Sequence, residues 1–248
     1  MIPKRIHYCW LSDDPLPAKL QICIDSWKRF LPDYEIVKWD LKRFPLEKAN
    51  WVRQAFESKK YAFAADYIRL YALASEGGIY LDSDVEVLKS FDDLLHLPYF
   101  ICKENSPQGM EAAIIGAEKG CSWVQKCMDQ YVGKDFIDSN GLMRTEVLPH
   151  VIKTVIEKKY KLTAINSPTD FVFDKDRVCY LPSDYFSPKN YVTKKITITE
   201  NTYCIHHFAG TWQPAWKRVL LSFWVPFSIK FPKFAAFIKP QKGESVNS

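Results

Sequence analysis

No pair of cysteines in this chain stands in C-x-x-C spacing, and the seven present (Cys9, Cys23, Cys102, Cys121, Cys127, Cys179, Cys204) are an odd number. Neither a zinc cluster nor a disulfide framework is suggested. Scattered thiols fit a reducing compartment. Long apolar runs are missing as well: no stretch reaches the roughly 18 residues of a membrane span. The opening MIPKRIHYCW has no apolar core of the signal-peptide kind, so the expected location is cytoplasmic. Charge of one sign is only in small excess. A net charge of +5 is too mild to argue for nucleic acid as a partner. Internal repeats and low-complexity tracts are absent.

What is there is ordinary globular material. Of 248 residues, 47% are hydrophobic and 25% charged, enough for one α/β domain with elaborations. RIHYCW reads as a buried strand. In KLQICIDSWKRFL, apolar residues recur at Leu20, Cys23, Ile24, Trp27 and Leu31, the spacing of a helix. After Pro32 and Asp33, YEIVKWD reads as a second strand, giving β-α-β. YAFAADYIRLYALASEGG predicts a long helix ended by a left-handed cap at Gly77. IYLDSDVEVL then predicts one strand, apolar at first and acidic later. Further on, short strands (YFICKE, AAIIGAE) alternate with helices. Residues 163 to about 205 read as loop-rich, and TYCIHHFAG as a last strand.

Asp82 and Asp84 flank Ser83 at the end of the third strand. Side chains two apart on a strand point the same way, so the two acids converge. Ligands of open α/β sheets bind at this edge. Hard oxygen ligands of this kind suit Mg²⁺ or Mn²⁺ bridging to substrate phosphates. The triplet alone is cheap: Asp174 and Asp176 form a second one, which reads as a loop. The first has context. Asp66 and Arg69 share a face of the preceding helix, and the Gly77–Gly78 reversal lets Arg69 reach the same pocket. HHFAGTW at 206–212 places adjacent histidines, a glycine and a tryptophan at a strand end.

Together IPKRIHYCW, SWKRFLPDYEIVKWD, AADYIRLYALASEGGIYLDSDVEVL, YLPSDYFSP and HHFAGTW resemble the DxD-containing family 32 of glycosyltransferases. More distantly, the central motif resembles the catalytic domain of clostridial glucosylating toxins. The resemblance runs from residue 2 to about 212. It implies a GT-A fold, a single domain over 1–213 with a mixed sheet flanked by helices. It also implies a nucleotide-sugar donor, Mn²⁺ (or Mg²⁺) and retention of anomeric configuration. By resemblance, Asp82, Asp84 and His207 bind the metal. Trp10, Asp66, Arg69, Tyr80, Ser83 and His207 hold the donor, and Asp82, Asp84, Arg69 and Trp212 act in catalysis. The expected donor is a UDP-linked hexose (galactose, glucose or an N-acetyl form), with GDP-mannose as an alternative. The expected acceptor is a lipid-linked saccharide of bacterial capsule or surface polysaccharide synthesis. Front-face attack is implied; Glu111 is the candidate should a carboxylate nucleophile be used.

Residues 214–248 mix aromatics with Lys217, Arg218, Lys230, Lys233, Lys239 and Lys242. Basic aromatic segments of this kind lie in membrane interfaces, so a peripheral membrane contact is expected there. A packed terminal helix is the alternative. Two other functional classes compete: a haloacid-dehalogenase-type phosphohydrolase with Asp82 as nucleophile, and a non-catalytic carbohydrate- or membrane-binding module. An EF-hand is excluded by the missing loop glycine and closing glutamate.

Overall fold

A computed structural model of the chain describes residues 1–106 and 109–210. Trp212 and the basic aromatic segment 214–248 therefore lie outside the described residues. The described elements are β1 (Arg5–Cys9), α1 (Ala18–Phe30), β2 (Glu35–Trp39), α2 (Asn50–Glu57), α3 (Tyr61–Glu76), β3 (Gly78–Leu81), β4 (Val85–Val87), β5 (Tyr99–Phe100), β6 (Ile114–Ala117), α4 (Ser122–Met128), α5 (Leu148–Lys159), β7 (Lys161–Ala164), β8 (Arg177–Tyr180) and β9 (Cys204–His206).

The chain folds as a mixed α/β protein around a five-stranded sheet of order β2-β1-β3-β6-β5. The first β-α-β unit makes β1 and β2 parallel, and β3 joins the other side of β1 in parallel. β6 returns antiparallel to β3, and β5 antiparallel to β6. Alternation along β3 sends Tyr80 into one core with α2, α3, α4 and α5, and Ile79 and Leu81 into a second core with α1 and β4. Each face of the sheet is thus covered by helices. Among the described residues no helix is long and apolar enough to cross a membrane. The seven cysteines are free thiols. The loop-rich stretch after residue 163 also holds a short parallel pair, β7–β8. The second aspartate pair does lie in a loop, where Asp174 accepts the Asp176 N–H at 2.9 Å and pairs with Arg177.

Two features at β3 differ from the sequence expectation. The α3 cap at Gly77 has φ +68° but ψ 178°, an extended conformation restricted to glycine rather than a left-handed turn. Gly78 follows at φ +116°, and a Cβ there would sit 2.7 Å from the Arg5 carbonyl oxygen. The buried His7 ring locks this reversal: its Nε2–H donates to the Gly77 carbonyl at 2.8 Å while Nδ1 accepts from the Trp39 indole at 3.0 Å. Gly78→Ala should cost about 2 kcal/mol or more, because it combines a forbidden φ with a backbone clash. A shift in the denaturant midpoint checks this, with Gly120→Ala, which meets nothing within 4 Å, as the control for positive φ alone.

The second difference is a break in the predicted strand. IYLDSDVEVL is not one strand: β3 ends at Leu81 and β4 begins at Val85 in a separate ribbon with β9. Asp82, Ser83 and Asp84 form the tight turn between them, closed by the Val85 N–H on the Asp82 carbonyl at 3.0 Å. The two carboxylates converge because of this turn and not because of strand alternation.

Candidate active site

The turn sits at the carboxyl end of β3, where the Asp82 N–H still donates to the Ala113 carbonyl at 2.8 Å. Beneath it lies Arg69, projected from α3 with its side chain only 7% exposed. One Nη nitrogen is 3.1 Å from Asp82 Oδ1 and 3.2 Å from Asp66 Oδ1. The other donates to the Ala112 carbonyl at 2.5 Å. Its guanidinium packs on the Tyr80 ring at 4.6 Å, and the Tyr80 hydroxyl donates to Asp82 Oδ1 at 3.0 Å. Asp66 and Arg69 do share a helix face with the acidic turn. However, both Arg69 Nη nitrogens are engaged by Asp66, Asp82 and Ala112, so the buried guanidinium underpins the turn, while among the described residues its Nε has no partner. Burial pushes the Asp66 carboxyl up to about 7, against the opposing pull of Arg69. Burial also raises Asp82, with Arg69 opposing and Asp84 adding to the rise. Asp82 Oδ1 is engaged by Arg69 and Tyr80, so Oδ2 is the oxygen left to a ligand.

Asp84 is fixed from the opposite side. Its Oδ2 accepts the Ala209 N–H at 2.7 Å, and its carbonyl accepts the His207 N–H at 3.1 Å. The β4–β9 ribbon, with Val85 opposite His206, carries the histidine segment here. His206 Nε2 lies 3.6 Å from Asp84 Oδ1, and its Nδ1 lies 3.2 Å from Glu111 Oε1. Ligand atoms of Asp82, Asp84 and His206 all fall within 4.8 Å of one another.

This corrects the histidine expected at the metal. His207 follows His206 in the chain and so points the other way, pairing through Nε2 with Glu86 at 2.8 Å. The sequence spacing to Gly210 suits either ring; the register of β9 on β4 chooses His206. Burial alone would lower the His206 pKa, but Glu111 and then Asp84 and Asp82 outweigh it and lift the group to about 9.

Two carboxylates and an imidazole nitrogen fit a divalent cation of the Mn²⁺ or Mg²⁺ type. The carboxylates that raise the His206 pKa, Asp84 and Asp82 among them, would equally favour a cation at that point.

The remaining predicted residues are placed as follows. Trp10 follows β1 and donates its indole N–H to the Asp14 carbonyl at 2.8 Å. With Tyr8, Leu11, Lys38 and Asp40 it lines a cleft of about 350 Å³ at the carboxyl ends of β1 and β2, on the same sheet edge as the acidic turn. Ser83 occupies the turn itself. Glu111, only 1% exposed, accepts the Ala113 N–H at 2.9 Å and faces His206. Two residues were not foreseen, His206 as the inward ring and Lys189. The Lys189 ammonium donates to the His207 carbonyl at 2.8 Å; burial lowers its pKa while Asp84 opposes this. Nothing local in the sequence marks Lys189, because the long connection from 182 to 203 brings it here.

Residues 17–101 match the family described as "Glycosyltransferase sugar-binding region containing DXD motif". Inositol phosphoceramide mannosyltransferase 3 of Schizosaccharomyces pombe is 35% identical over 127 residues, covering 48% of this chain and 34% of that protein. Mannosyl phosphorylinositol ceramide synthase SUR1 of Saccharomyces cerevisiae is 32% identical over 125 residues, 47% of this chain and 31% of that protein. The chain thus aligns with about a third of the length of these relatives. Among solved structures, galactosyltransferase LgtC with donor and acceptor sugar analogs superposes with a TM-score of 0.47 at 15% identity, covering 96% of this chain and 98% of that one. The matched segment contains Asp66, Arg69, Tyr80, Asp82 and Asp84, so it is over the acidic turn and the helix before it that the chain is similar to the DXD-containing glycosyltransferases.

Proposed function

We propose that this chain is a metal-dependent, retaining GT-A glycosyltransferase that moves a hexose from a nucleotide sugar to a saccharide acceptor. The observation that carries this reading is the convergence of Asp82, Asp84 and His206 at the end of β3, with Arg69 paired to Asp82 from below. The cleft beside Trp10 on the same sheet edge fits a nucleoside, with an aromatic body and polar rim. A donor lying from that cleft to the acidic turn would place its diphosphate at the turn. The yeast relatives' names point to mannose, so GDP-mannose stands beside UDP-linked galactose, glucose and their N-acetyl forms. The same names favour a lipid-linked acceptor, and a surface-polysaccharide precursor meets that description as well.

Breaking the bond between the anomeric carbon and the diphosphate puts negative charge on the leaving group. A divalent cation on Asp82, Asp84 and His206 would act there as a Lewis acid. The chain's own residues do the rest. Asp82 is held by Arg69 and Tyr80, and Asp84 by the Ala209 N–H, so neither needs to reorganise. Lys189 brings a further positive charge to the wall beside Asp84. Glu111 has both oxygens engaged, which favours front-face attack, with the departing phosphate oxygen taking the acceptor proton. The phosphohydrolase reading fits less well, because it leaves the cleft beside Trp10 on the same sheet edge without a role.

A nucleoside diphosphate together with Mn²⁺ should raise the melting temperature, whereas either alone should do so weakly. No shift with UDP or GDP at millimolar concentration in Mn²⁺ would contradict the donor reading. The His206 charge gives a second outcome. Below about pH 9 the metal must displace a proton from Nε2. Mn²⁺ affinity should therefore rise with pH between 6 and 8, by up to about tenfold per unit, with close to one proton released per metal. Calorimetry in buffers of different ionisation enthalpy reads that proton directly.

A further inference from the structure

We infer that Glu111 is a positioning residue: it fixes the tautomer and direction of the His206 ring so that Nε2 is presented to a cation held by Asp82 and Asp84. This rests on the metal-site reading above. The two Glu111 oxygens lie 3.2 and 3.3 Å from His206 Nδ1. An ionised carboxylate only accepts hydrogen bonds, so Nδ1 must carry the proton and donate. Nε2 is then the nitrogen left for a metal, and it is the one that faces Asp84.

Glu111 is itself held. Oε1 accepts the Ala113 N–H at 2.9 Å, and the Ser187 hydroxyl also reaches the carboxylate. Phe208 packs against the imidazole at 4.0 Å between ring centroids, which limits ring rotation. A buried carboxylate is costly to keep unless a partner uses it. Among the described residues, His206 is the cationic group in direct contact with Glu111, while Glu104 adds a second buried acid nearby.

The placement is economical. The three residues 111–113 touch three parts of the site: Glu111 holds His206, the Ala112 carbonyl takes Arg69, and the Ala113 carbonyl takes the Asp82 N–H. One short segment before β6 therefore sets Asp82 and the His206 imidazole relative to each other. Outer partners of this kind typically change metal affinity by 10–100-fold.

The test is an electron-paramagnetic-resonance titration with Mn²⁺ alone on the full chain, needing no substrate. Glu111→Ala should weaken Mn²⁺ binding by about 10–100-fold. Glu111→Gln, which keeps an acceptor oxygen of the same shape and loses the charge, should fall between it and the parent. In a His206→Ala background, Glu111→Ala should change the dissociation constant less than about twofold, because its effect runs through the ring. Circular dichroism of the Gln variant guards against misfolding. An equal loss in both backgrounds overturns the proposal, as does an unchanged affinity in Glu111→Ala. If Asp84→Asn leaves Mn²⁺ binding intact, the metal-site reading itself falls, and this role of Glu111 with it.

Discussion

Asp84→Asn is expected to lower the rate of the proposed sugar transfer by at least about 10³-fold and to leave the fold intact. The size follows from what Asp84 does. It is one of two carboxylates that would hold the cation, and removing a preorganised electrostatic partner of the leaving group typically costs 10²–10³ in rate by itself. Losing the cation as well removes its Lewis-acid contribution. The fold should tolerate the change. Asn keeps an oxygen that can accept the Ala209 N–H, and the main-chain bond from His207 to the residue 84 carbonyl is untouched. Losing one of several clustered acids also relieves repulsion with Asp82. The measurement pairs nucleoside-diphosphate release with a thermal melt. A variant near parental activity in Mn²⁺ contradicts the account.

His206→Ala and His207→Ala give opposite results. His206→Ala should weaken Mn²⁺ binding by about 10²-fold and slow transfer by at least as much, since it would remove the proposed imidazole ligand and leave Glu111 buried without its cationic partner. His207→Ala should change either quantity by less than about threefold, since its ring pairs with the partly exposed Glu86 on the other face, an ion pair of small worth. Equal effects of the two substitutions would mean that the register of β9 on β4 is not the one described. The contrast separates the two halves of a dipeptide that sequence spacing cannot separate.

The first half of the chain was legible because its physics is local. Leu20, Cys23, Ile24 and Trp27 repeat with helical period and are the buried face of α1. β1, α1 and β2 fall where the alternating pattern put them, and α3 ends at the glycine pair. The acidic turn was legible as a site but not in its geometry. An apolar run followed by alternating acids looks like one strand; only the closing of β4 onto β9 reveals the break at Asp82. Arg69 was placed near the acids, and it lies 3.1 and 3.2 Å from Asp82 and Asp66, but its depth was not legible, because sequence gives a helix face and not how deeply that face is buried. The histidine was misassigned for the matching reason. Neighbours in a strand point to opposite sides, and the side is set by pairing with residues more than a hundred positions earlier. Glu111 and Lys189 carry no local signal of their roles, since each acquires one only from what the fold brings beside it.

The central claim is that the two aspartates share a cation that carries the diphosphate of a sugar donor. Hydrolysis of nucleotide sugars without acceptor tests it most directly. UDP-glucose, UDP-galactose, their N-acetyl forms and GDP-mannose are each incubated with the protein in Mn²⁺, then after chelation, then with Mn²⁺ restored. The account predicts that at least one donor is split to its nucleoside diphosphate in Mn²⁺, that chelation stops the reaction, and that the ion returns it. A rate indifferent to chelation, or no donor split under any condition, would contradict it.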